Sequence, residues 1–183
     1  MNLLLAFAPF IVFVVVERLA SIPIGLAAGA LAAVALLVRN LLTPGRSVKI
    51  LEIGTFLLFG LLSLYALATS PQWSIAAVRL RIDAGLLIIV LASMAMRQPF
   101  SLQYARQSVD PRHWDSPEFL RINYVISAAW AVAFAVLVLA DVVMVYLPAL
   151  PHAFGVATTV LALAVAAWFT GCYPEQRRMA QQT

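Results

Sequence analysis

The chain carries 12 basic and 8 acidic residues, and most of them flank apolar runs instead of interrupting them. The exceptions are the groups that could do chemistry. Arg79, Arg81 and Asp83 stand in the stretch WSIAAVRLRIDAGLLIIVLASMAMRQPF, directly ahead of thirteen uncharged residues from Ala84 to Met96. Glu17 and Arg18 close the apolar run that begins at the N-terminus, and Asp141 lies nineteen residues into another. A charge held in hydrocarbon costs several kcal/mol unless it is paired, so acids and bases at such positions are expected to find one another. Arg79 and Asp83 are spaced i, i+4 and share a helix face, which favours a pair on one helix, with Arg81 pointing elsewhere and reaching for Glu17 or Asp141. Two readings of the six-residue cluster are open. It is an outward-facing polar pocket, or its members sit at headgroup level, snorkel and anchor the protein.

No residue pattern points to bond-making chemistry. There is no phosphate-cradling glycine-rich loop with its lysine, no HExxH, no CxxC, and no serine with a histidine and acid to activate it. Cys172 is the only cysteine, so an internal disulfide is excluded, and His113 and His152 stand alone. The expectation is a protein with no catalytic residues, no cofactor and no metal site.

The elements that must position the charges follow from composition. Hydrophobic residues make up 63% of the chain and charged residues 11%, against about 25% charged in an ordinary soluble domain. The net charge is +4, but eleven of the twelve basic residues are arginines at the ends of apolar runs, a topology signal and not a nucleic-acid patch. A span needs roughly 20 residues, and six candidates are present: Asn2 to Ala20, Ile22 to Val38, Val48 to Thr69, Ala76 to Met96, Ile122 to Leu147 and Ala153 to Tyr173. In the first of these only Leu3 to Val16 is free of charge, and Pro23 falls where a tight turn to the second would lie. No basic region precedes the first run, so it does not read as a cleaved signal. The fold class is therefore all-α, a single polytopic transmembrane bundle over residues 1–183 with about six spans and a longer cytoplasmic joint at 97–118.

Orientation comes from the basic residues. Nine of them, at 39, 46, 49, 97, 106, 112, 121, 177 and 178, fall on one side of a six-span arrangement, and only Arg18, Arg79 and Arg81 on the other. Basic residues stay cytoplasmic, which puts both termini inside. Asp83 is then fourteen residues, roughly 21 Å, from the cytoplasmic end of its span, at the same outer level as Glu17, Arg18 and Asp141.

On the inner side, Glu52 follows Lys49 on the same helix face, so a local pair with Lys49 or Arg46 competes with a vestibule in which Glu52 faces Arg97 or Arg106. The 97–118 joint, RQPFSLQYARQSVDPRHWDSPE, sets Phe100, Tyr104 and Ala105 beside Arg97, Arg106 and Arg112, with Trp114 after them. Such a segment suits a short amphipathic helix on the inner leaflet, with Tyr104, Arg106 and Trp114 contacting headgroups or a partner. Ser116-Pro117-Glu118 reads as N-cap, first helical position and acidic first turn of the span that follows. Gly25 and Gly29, with Ala28, Ala32 and Ala33, mark a face on which helices can approach closely.

The segments FAPFIVFVVVERL, KILEIGTFLLFGLLSLY and RLRIDAGLL, the last leading into MAMRQPFSLQYARQ, resemble the bacterial intracellular septation protein A family and its broader relatives, over most of the chain. The resemblance includes a charged entry to a middle span that ends in a basic pair or basic-polar pair before proline, here Arg97-Gln98-Pro99. The ARQSVDPRHWDSPEF joint is longer than that family's pattern. The resemblance implies a multi-pass protein of the bacterial inner membrane with a role in cell division and envelope maintenance and no established chemistry. Its partners would be membrane lipids, other envelope proteins or a second copy of the chain, and not nucleic acid. A small channel or transporter using the outer charges is the alternative.

Overall fold

The structure is a computed structural model that describes residues 4–43, 47–107, 109–147 and 149–180, with the side chains of Leu4, His152 and 175–180 outside the described set. Among these residues there are helices and no strands. Seven α-helices follow in order: α1 (Ala8–Leu19), α2 (Ile22–Leu42), α3 (Ile50–Thr69), α4 (Ile75–Ala95), α5 (Phe100–Ala105), α6 (Pro117–Tyr146) and α7 (His152–Ala180), with 3-10 turns at Leu4–Phe7 and Pro111–His113. They fall into two compact units, residues 1–78 and 79–183.

The sequence marks the helix starts. Ser116 Oγ accepts from the Phe119 amide at 3.3 Å, with Pro117 at the first helical position and Glu118 in the first turn of α6, as the Ser-Pro-Glu triplet predicts. Asp110 caps the 3-10 turn by accepting from the Arg112 amide at 2.9 Å. At α3, Glu52 Oε2 accepts from the Lys49 amide at 3.3 Å and satisfies a donor that the first turn would leave unpaired.

In the first unit, α1 and α2 form a helical hairpin closed by Ala20 and Ser21, with Pro23 just inside α2. Small residues make the close approach. A Cβ at Gly25 would sit 3.0 Å from that of Glu17, and one at Gly29 would be 2.8 Å from the Phe59 ring. Phe59 is fully buried, and Phe10 and Phe13 of α1 meet its ring with centroids 5.0 and 5.8 Å away, so one aromatic ties all three helices together.

In the second unit, α4 buries Ile82, Leu86, Val90 and Ser93 along one face. The Tyr124 hydroxyl donates to the Met94 carbonyl at 3.3 Å near one end of α6, while Arg79 meets Asp141 near the other, so α4 and α6 run antiparallel. Helix α7 returns along α6, with Trp130 Nε1 donating to Thr170 Oγ1 at 2.9 Å and Gly155 packed on the Met144 thioether.

Among the described residues, four helical segments are long and apolar enough to cross a bilayer: Ile22–Leu42, Ile50–Thr69, Pro117–Tyr146 and Ala153–Pro174. The count of six is thus met in four cases. Helix α1 has 12 residues, about 18 Å of rise, and α4 carries Arg79, Arg81 and Asp83 in its first half. Physical reasons separate these two: one is short, and the other places three charges where a span should be apolar.

Candidate functional site

The site is built on three helices of the second unit. Arg79, in the second turn of α4, is four-fifths buried, and its guanidinium extends to α6 and α7 together. Its Nε lies 3.7 Å from Asp141 Oδ1, and its Nη2 donates to Thr159 Oγ1 at 2.6 Å. Thr159 in turn donates to the Gly155 carbonyl at 2.8 Å, which fixes the hydroxyl so that an oxygen lone pair faces the arginine. Gly155 is needed here for space. A Cβ there would meet the Met144 sulfur and come within 3.5 Å of Arg79 Nη1.

Asp141 is 1% exposed, and Asp83 is buried one turn along α4 from Arg79. Arg79 is the cation that faces Asp141. Asp141 Oδ2 is buried and, among the described residues, meets no N–H or hydroxyl donor. The arrangement holds charge away from water. Along α4, α6 and α7 it lies at the end of the unit opposite the 97–118 joint.

Arg79, Asp83 and Asp141 are therefore brought together, with a pairing different from the one read in the sequence. Arg79 meets Asp141 across helices and not Asp83 on its own helix. The physical reason is length: a guanidinium on α4 spans the gap to α6, where Asp141 would otherwise be buried without a countercharge. Glu17 and Arg18 lie at the end of α1 in the first unit, half-buried and exposed respectively.

The inner-side residues separate as well. Glu52 is buried and satisfied locally: its Oε1 accepts from Asn40 Nδ2 at 2.7 Å and lies 3.4 Å from Lys49 Nζ. The Lys49 pair is present, and Arg46 lies outside the described residues. Arg97 is exposed and takes a left-handed backbone, φ 58°, between α4 and α5. Tyr104, expected at a headgroup or partner surface, is buried, because α5 turns its aromatic face inward. Phe100 stands edge-on to both Tyr104 and Trp130. Ser101 Oγ is 3.0 Å from Ser127 Oγ and donates to the Asn123 carbonyl at 2.9 Å, which docks α5 on α6. Arg106 lies over the Trp114 ring at 5.3 Å, and Trp114 Nε1 donates to the Val109 carbonyl at 3.0 Å.

Sequence reasoning missed Thr159, Gly155, Asn40 and the Ser101–Asn123–Ser127 group. Each is a lone polar or small residue within an apolar run, and that isolation was the available signal. A cleft of about 560 Å³ between α6 and α7 is walled by Val132, Val136, Leu161, Val165, Phe169 and Thr158, and no titratable side chain lines it. Compared with protein-family models, curated proteins and solved structures, the chain has no match.

Proposed function

We propose that the chain is a six-span integral protein of the bacterial inner membrane with both termini cytoplasmic. It acts without bond-making chemistry in cell division or envelope maintenance, through lipids or neighbouring envelope proteins. The observation that carries the membrane reading is that the four long helices turn their large apolar side chains outward. Leu31, Leu61, Leu139 and Leu161 are each 64–70% exposed, a surface suited to hydrocarbon and not to water. Helix α4, 21 residues or about 31 Å, supplies a fifth span, in which Arg79 is paired with Asp141 of α6. Helix α1 with its preceding 3-10 turn supplies the sixth. The envelope role rests on the resemblance to the septation protein A family. Depletion in a bacterium that carries the protein tests it: filamentous or osmotically fragile cells are expected, and normal septation with normal envelope permeability would overturn it.

The buried Arg79–Asp141–Asp83 group favours a second reading, a small channel or transporter with a charged outward-facing pocket. Purified protein in liposomes separates the two, since only the second predicts solute or ion flux above that of empty vesicles.

A further inference from the structure

Arg106, directly after α5, is a cation that no acid among the described residues meets. Its guanidinium carbon stands 5.3 Å from the centroid of the Trp114 ring, and its Nε is covered and has no acceptor among the described residues. With Nε covered, an anion can reach the guanidinium only at its two Nη atoms. Those donors belong to the planar fork that takes two oxygens of one oxyanion side by side.

Both members of the pair are held in place. Trp114 Nε1 donates to the Val109 carbonyl at 3.0 Å, and the Trp114 amide donates to the Pro111 carbonyl at 3.2 Å in the 3-10 turn that Asp110 caps. The Arg106 amide donates to the Leu102 carbonyl at 3.0 Å, and α5 is docked on α6 through Ser101 and Asn123. A guanidinium stacked in this way keeps its attraction to the indole face while its edge engages an anion.

The level of the pair identifies the anion. Asn123 lies in the second turn of α6, so α5 sits against the first turns of a helix long and apolar enough to cross a bilayer, at the end where hydrocarbon gives way to water. On α4 the outward apolar surface runs to Met96, 57% exposed, and stops at Arg97. Tryptophan and arginine at such a boundary meet headgroups. We propose that the Arg106–Trp114 pair binds the phosphate of an anionic phospholipid, the two Nη atoms donating to two phosphate oxygens and the indole supporting the guanidinium from behind. The site rests on the membrane reading given above. It favours anionic lipid over phosphatidylcholine, whose phosphate already has a cation of its own.

Native mass spectrometry of the full chain released from dodecyl maltoside micelles tests it, with phosphatidylglycerol titrated in one series and phosphatidylcholine of the same acyl chains in another. Wild-type protein should bind the first phosphatidylglycerol about fivefold more tightly, the equivalent of the roughly 1 kcal/mol that one basic residue contributes at an anionic surface. Arg106→Gln should remove that preference. Arg106→Lys, which keeps the net charge and loses the fork, and Trp114→Leu, which loses the support, should remove most of it. Arg97→Gln, exposed at the end of α4, should leave it in place. An excess of glycerol phosphate should not displace the lipid; displacement would overturn the lipid assignment in favour of a free phosphate. Equal affinity of wild-type protein for the two lipids would overturn the site whether or not any variant folds, and an unchanged preference in both Arg106→Lys and Trp114→Leu would do so by leaving only a diffuse attraction. A chain that fractionates with membranes and shows no preference loses this site alone, whereas one that fractionates with soluble proteins loses the membrane reading as well.

Discussion

At the residue scale, the decisive fact is that Arg79 pairs across helices. Removing one member of a buried ion pair strands the other, at a cost of roughly 3–5 kcal/mol when both are enclosed. Arg79 keeps one-fifth of its side chain exposed, so Asp141→Asn should fall near the low end of that range, read as a lower melting temperature in detergent. Asp83→Asn should cost much less, on the order of 1 kcal/mol, since no cation loses its main partner. Equal losses for the two variants would mean that Arg79 depends on both acids alike. That charges would gather around Asp83 was legible from the apolar run into which they are set. The choice of partner was not, because i, i+4 spacing on one helix says nothing of what a neighbouring helix offers at the same depth. Thr159 and Gly155 were equally hidden: a threonine and a glycine in an alanine-rich span look like packing until an arginine is found against them.

At the element scale, small residues set how closely helices approach. Gly29→Ala would push a methyl into the Phe59 ring at 2.8 Å, in a core where Phe10 and Phe13 leave it little room to move. The expected loss is about 1–3 kcal/mol from overpacking. Gly60→Ala on α3, where nothing lies within 4 Å, should instead gain about 0.5–1 kcal/mol from helix propensity. Thermal unfolding of the two variants beside wild type checks both signs together. The short helix α5 makes a second case. Ser101→Ala removes the hydroxyl that reaches Asn123 and Ser127, and should raise amide exchange over 100–105 by about tenfold or more, given about 1–3 kcal/mol for a buried polar group left unsatisfied. The aromatic spacing of this segment was visible in the sequence, and so was its helical form. Its direction was not, since Phe100 and Tyr104 beside arginines fit a membrane surface as well as they fit Trp130. The decision came from Ser101, Asn123 and Ser127, three polar residues that only the folded chain brings together.

At the scale of the whole molecule, the apolar composition and the helix boundaries were readable because each span must satisfy its own backbone hydrogen bonds and so declares itself by length and hydropathy. The first run, whose charge-free part is only Leu3 to Val16, and the fourth, which opens on Arg79, Arg81 and Asp83, are the two helices that fail a simple length or charge criterion, while the second, marked by Pro23 at its start, meets it. The account depends on both of them crossing the membrane, which makes topology its central claim. Single cysteines at positions 72 and 107, placed in a Cys172→Ala background, test it directly by labelling with a membrane-impermeant maleimide in intact cells and in inverted vesicles. Both positions are exposed, one between α3 and α4 and the other just after α5. The six-span account predicts labelling of position 72 only from outside and of position 107 only from the cytoplasm. Labelling of both positions from the same face would show that α4 does not cross, and would contradict it.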